Sequence, residues 1–237
     1  MKKFIILLLL SIVYSVINAQ TETISWDFPV KPGSEEWASF TTAQQKRDAC
    51  QIPQKTLEAL STKDLVVICL NYPLLFDYAA FDDERIGASI VIKRFNGFEE
   101  LSKRKDGIAE LVSLYKNYPI FTQRPEQTST DYSKPFKLPF IELLLSDDLF
   151  SKQLDNEMSV ELGKIVLEKY AGKLENKHIY SIRNIKKTLL LGAVVMSIQN
   201  RDTLSSEQKE VLKRFIENYN YAVSNLLSAV SKIIVEL

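Results

Sequence analysis

The stretch Thr188–Ile198, inside "SIRNIKKTLLLGAVVMSIQN", is apolar nearly all the way round a helical wheel. A helix without a polar face belongs in the middle of a core, with other elements packed on every side. The chain's punctuation limits what those elements can be. Seven glycines and eight prolines in 237 residues are about half the usual share and disfavour turn-rich β architectures. With 46% hydrophobic residues there is material for a substantial core. The expected fold is all-α, a multi-helix array or bundle with an extended N-terminal arm.

The first residues, "MKKFIILLLLSIVYSVINAQ", place Lys2 and Lys3 before an apolar run from Phe4 to Leu10 and reach the small Ala19 before Gln20. That is the layout of a secretory signal peptide over residues 1–19. Ser11, Ser15 and Asn18 interrupt the run before it attains the roughly 20 apolar residues that a bilayer span requires. The expectation is an exported bacterial protein, periplasmic or secreted, with no membrane span after cleavage. Loss of Lys2 and Lys3 takes the balance of 30 Lys+Arg against 30 Asp+Glu to a formal charge of −2. Nothing in that balance asks for nucleic acid or another polyanion as partner.

Residues 20–33 contain Trp26 and two prolines without a helical period and read as the arm, which either docks on its own domain or forms a ligand-binding tip. A first helical region follows over 34–118. Ser34 can cap a helix that opens with Glu35 and Glu36, Pro53 suits a first turn, and "STKD" at 61–64 and Asn96 with Glu99 resemble capping boxes. Residues 119–139 hold four prolines around a Gln/Thr/Ser-rich centre and read as a connection, the best place for a domain boundary or a binding loop. A second helical region occupies 140–237. Within it, Leu212, Ile216, Tyr219, Val223, Leu226, Val230 and Ile233 step by four and three, which predicts one long C-terminal helix from Ser206 packed along its own domain.

"LNYPLLF" at 70–76 returns as "KNYPIF" at 116–121, an offset of 46 residues. Asn tolerates a helix C-terminus and Pro cannot continue a helix, so Asn-Tyr-Pro is a sensible stop signal. The period also suits helical pairs of the HEAT or armadillo kind. Convergent stops and a true repeat both remain open at this point.

The pieces "WDFPVKPGSEEW", "ACQIPQKTLEALSTKDLVVICLNYPLLFDY" and "FNGFEELSKRKDG" resemble the N-terminal portion of a family of uncharacterised exported proteins from Bacteroidetes-type bacteria. The resemblance covers roughly Trp26 to Pro119. It implies bacterial export; no reaction is assigned to that family, so it implies no catalytic residue.

The residues exclude several chemistries. His178 is the one histidine and has no Cys, Asp or second His at ligand spacing, so neither a metal site nor a histidine triad is expected. Walker and Rossmann glycine patterns are absent, and no cofactor is expected. Ser113 and Lys116 form a lone S-x-x-K without its companion motifs. A glycosidase-like hydrolase would need two of Asp82, Asp83, Glu84, Glu99, Glu100, Asp147 and Asp148 to face each other, although all sit where acidic residues favour helix starts. His178, Arg183, Lys186 and Lys187 gather near the start of the central apolar helix, either as an anion site or as a solvated face. Cys50 and Cys69 are the only cysteines, and in an exported chain they either bridge or pack as small apolar residues. Two functions are compatible with these residues: an exported helical scaffold that binds a protein or cell-envelope component, and, as the alternative, an exported hydrolase with paired carboxylates.

Overall fold

Local capping decides where the first helices begin. In the computed structural model, which describes residues 26–127, 132–199, 204–221 and 224–235, Ser34 accepts from the Trp37 N–H to open α1 (Glu35–Ser39). Thr42 and Gln45 form a capping box at α2 (Ala43–Ala49). After α3 (Gln54–Ala59), Ser61 accepts from the Asp64 N–H at the start of α4 (Thr62–Leu70). A 3-10 helix (Leu75–Ala80) leads to α5 (Glu84–Arg94), capped by Asp83, then α6 (Asn96–Lys103) and α7 (Gly107–Asn117). Asn96 is not the cap that its spacing to Glu99 suggests. It is the first helical residue, and its side chain accepts from the Ile52 N–H and donates to the Ile52 carbonyl, tying α6 to the turn after Cys50.

The second half comprises α8 (Lys134–Ser146), α9 (Asp148–Ser151), α10 (Asn156–Glu175), α11 (Ile182–Gln199), α12 (Ser206–Glu217), a 3-10 turn (Tyr219–Tyr221) and α13 (Ser224–Val235). Among the described residues every regular element is helical, as the scarcity of Gly and Pro requires. The apolar helix is central: α11 is packed by α8, α10, α12 and α13. One continuous set of buried side chains runs from Phe28 to Ile234 across both helical regions.

Two expectations change, and the structure bears on two alternatives left open. The connection ends sooner than Pro139, because Pro135 lies in the first turn of α8 and Pro139 inside it. The long C-terminal helix breaks at Asn218, whose side-chain amide and backbone N–H both donate to the Arg214 carbonyl, so α12 and α13 pack on each other and on α11. Of its seam, Val230 is fully buried, Ile216 and Leu226 are half-buried, and Val223 lies outside the described residues, as does the leader. The two Asn-Tyr-Pro stops lead into different continuations. Asn71 caps α4 and the chain continues into a 3-10 helix, whereas Asn117 is still helical and irregular chain extends beyond Tyr118. Finally, Cys50 and Cys69 are free and fully buried in the structure, with no bridge between them. Burial pushes the Cys50 thiol up to about 11 and Cys69 well above the ordinary range.

The arm docks rather than projecting. Phe28 is buried against Tyr72 and Phe95, whose rings stack at 4.2 Å. The 3-10 helix lies so close to α5 that a Cβ at Gly87 would collide with the Tyr78 carbonyl oxygen. Alanine normally favours a helix over glycine by about 1 kcal/mol. Here Gly87→Ala is expected to destabilise by about 1–3 kcal/mol, because the obstacle is backbone, read as a lower urea midpoint with an unchanged slope. The buried thiols are expected to react with an aromatic disulfide reagent at pH 8 only on unfolding, and denatured, unreduced protein should then yield two free thiols.

Candidate functional site

Glu142 stands alone among apolar residues in Leu138–Leu145 and is completely buried. Its two carboxylate oxygens accept from the Lys173 Nζ at 2.7 and 2.6 Å, and Oε1 also accepts from the Tyr115 hydroxyl at 3.1 Å and the Thr188 hydroxyl at 2.9 Å. These four side chains come from α7, α8, α10 and α11. Burial pulls the Lys173 ammonium below the ordinary lysine range, and the Glu142 carboxylate opposes that pull. The Lys173 ammonium also reaches the Asn184 carbonyl at 3.4 Å and lies 5.5 Å from the centre of the Tyr180 ring.

Asn184 carries this network to the surface. It lines a pocket of about 470 Å³ with Lys187, Glu84, Tyr78, Pro139 and Phe136. The pocket is assembled from the 3-10 helix after the first Asn-Tyr-Pro and from the starts of α5, α8 and α11. Phe76, Tyr132 and Phe136 are 40%, 38% and 41% exposed, so three large rings stand at the rim in contact with water. On the floor, Lys187 Nζ and Glu84 Oε2 are 2.6 Å apart, with the lysine side chain 2% exposed and the carboxylate 17%. The polar groups are therefore fixed and mutually neutralised, and the walls are apolar.

The basic cluster does not assemble as an anion site. Lys187 is taken by Glu84, while Lys186 lies 4.4 Å from the centre of the Tyr219 ring and Arg183 is exposed. His178 serves a different end: its Nε2–H donates to the Thr122 carbonyl at 2.9 Å, and Arg124 donates back to the His178 carbonyl at 3.2 Å. This reciprocal clamp fastens the Pro-rich connection to the turn between α10 and α11. Tyr180 adds to it by accepting from the Phe121 N–H.

The other candidates are engaged or exposed. Lys116 pairs with Glu161 at 2.7 Å, which raises its pKa, the opposite of what a lysine base requires; Ser113 is exposed on the same helix. Asp83 caps α5 and Asp147 caps α9. Glu99 pairs with Lys103, Glu100 with Arg104 and Asp148 with Lys152, each one helical turn apart. Asp82 is exposed. Asp147 and Asp148 do line a groove of about 970 Å³, but they are sequence neighbours at one helix start and do not oppose each other across it. Among the described residues no group of three His, Cys, Asp or Glu could hold a metal ion, and no helix is long and apolar enough to cross a membrane.

Comparison with known proteins finds no matching family model, no similar curated protein and no similar solved structure. The sequence signal for the buried network was the single carboxylate in an apolar run. Its partners Tyr115 and Thr188 carried no signal, since both residue types are ordinary on such helices. Lys173→Met leaves Glu142 buried without its cation and is expected to cost about 3–5 kcal/mol in denaturant unfolding. The double variant Lys173→Met/Glu142→Leu is expected to recover most of that loss, because the uncompensated charge is gone.

Proposed function

We propose that this protein is an exported binding protein, whose aromatic pocket receives an apolar part of a protein or cell-envelope component. The observation that carries this reading is the rim of Phe76, Tyr132 and Phe136 above a floor whose charges already neutralise each other. Large rings held at a pocket mouth lose burial free energy that a ligand's apolar group would restore. Phe136 and Pro139 are on α8, the helix that carries the buried Glu142, so the wall is set by the best-anchored part of the fold.

A hydrolase with paired carboxylates needs two such groups roughly 5–9.5 Å apart across the substrate. Among the described residues Glu84 is the one carboxylate that lines the aromatic pocket, and Lys187 pairs with it. This favours binding over hydrolysis. Export rests on the leader over residues 1–19 and on the resemblance to exported Bacteroidetes-type proteins. Nucleic acid has no part in the reading, given the near-zero net charge.

The test uses the chain from Gln20 and the neutral fluorophore N-phenyl-1-naphthylamine. Saturable uptake at one site is expected, and Phe136→Arg, which changes an exposed side chain, should weaken it by about tenfold, the loss of one well-packed apolar contact. Absence of saturable uptake, or equal uptake by a folded Phe136→Arg variant, would overturn the reading.

A further inference from the structure

The N-terminal arm divides into two parts with different burial. Phe28 and Val30 are buried in the core, and then Gly33, at φ +94°, turns the chain outward. The helix after this turn, α1, buries none of its residues. A five-residue helix that meets the core through Trp37 alone contributes little to stability. Nevertheless it is capped by Ser34, and it holds Trp37 half-buried beside Phe40, with ring centres 6.2 Å apart.

These two rings line a cleft of about 420 Å³ together with Lys46, Arg47, Leu74 and Asp77. Lys46 holds the indole through a cation–π contact at 5.3 Å. Asp77 has Arg47, Lys46 and Arg94 as its nearest cations, and burial still outweighs them to raise its pKa. Among the described residues it makes no ion pair or side-chain hydrogen bond with any of them, so a carboxylate and two cations share one cleft without closing on each other. The groups that would bridge them must both donate and accept. An anion would satisfy Lys46 and Arg47 but meet Asp77, and a cation would meet the reverse. Hydroxyl groups satisfy both sides, donating to the carboxylate and accepting from the cations.

We propose that this cleft is a saccharide-binding site: a neutral sugar lays its C–H face against Trp37, with the Phe40 ring set at 66° beside it, and places vicinal hydroxyls between Asp77 and the Lys46 and Arg47 side chains. The site is separate from the aromatic pocket on α8 and does not depend on what that pocket holds. It gives the otherwise unburied α1 a role, which is to carry the indole over the Asn-Tyr-Pro turn at 71–73.

Cellotriose, maltotriose and chitotriose are the probes, applied to the chain from Gln20 by saturation-transfer difference NMR and isothermal titration. At least one should bind saturably. Trp37→Ala and Asp77→Asn should each weaken that binding by about tenfold or more, the scale of one stacked ring or one charge-assisted hydrogen bond. Phe136→Arg, in the other pocket, should leave it unchanged. Circular dichroism and melting confirm folding, and Phe40→Ala supplies a second reading from the same platform. Failure of all three trisaccharides to bind, binding that survives Trp37→Ala, or inorganic phosphate binding to this cleft in preference to sugar would each overturn the proposal.

Discussion

The ion pair between Glu142 and Lys173 sets the terms for the rest of the structure. Both side chains are fully buried, and two charges removed from water are tolerable only when their remaining hydrogen-bonding capacity is met. Tyr115, Thr188 and the Asn184 carbonyl meet it, which requires α7, α8, α10 and α11 to stand in one mutual arrangement. Any packing that separated them would leave a buried charge without a partner, and a partly satisfied network is worse than an apolar one. Apolar packing alone tolerates more sliding between helices. The network therefore restricts the geometry as well as adding attraction.

The same constraint explains the basic residues at the start of α11. Positive charge there opposes the helix dipole, which makes an external anion a reasonable expectation. The structure supplies carboxylates from its own chain instead: Glu84 for Lys187, and Glu142 for Lys173 in the last turn of α10. Lys187 and Thr188 are consequently polar and enclosed, while Leu189–Leu191, Ala193, Val195 and Met196 are enclosed by apolar neighbours. The aromatic pocket opens where these two regimes meet, so its floor is ionic and its walls are rings and proline. Its position is a consequence of the burial of Lys187.

Signals confined to one helical turn hold in the folded chain. Ser34, Ser61 and Asp83 cap helices as their positions suggest, and the all-round apolar stretch in α11 is central. Signals with a second physical solution do not hold. Asn96 found the Ile52 backbone and left the cap to Phe95, because two hydrogen bonds across the fold replaced one within the helix. The heptad seam from Leu212 to Ile233 is continuous on a wheel, but the chain folds back after Asn218, which lets both halves reach α11. The two Asn-Tyr-Pro sequences stop helices in both places, yet the path the chain takes after each stop is decided by its neighbours. Lys137 donates to the Asn71 side chain, while Lys169 donates to the Lys116 and Tyr118 carbonyls.

By itself the sequence determined the helical class, the central helix, several helix starts and the absence of recognisable catalytic motifs. Each depends on composition or on residues within one or two turns, where backbone hydrogen bonding and apolar periodicity act directly. Tertiary structure alone decided which charges are buried, that His178 clamps the Pro-rich connection, and that Trp37 and Asp77 share a cleft while Phe76 and Phe136 share a pocket. Glu142 and Lys173 are 31 residues apart and His178 and Thr122 are 56 apart. At such separations no local rule couples the partners. Only the packing of whole helices brings them within hydrogen-bonding distance.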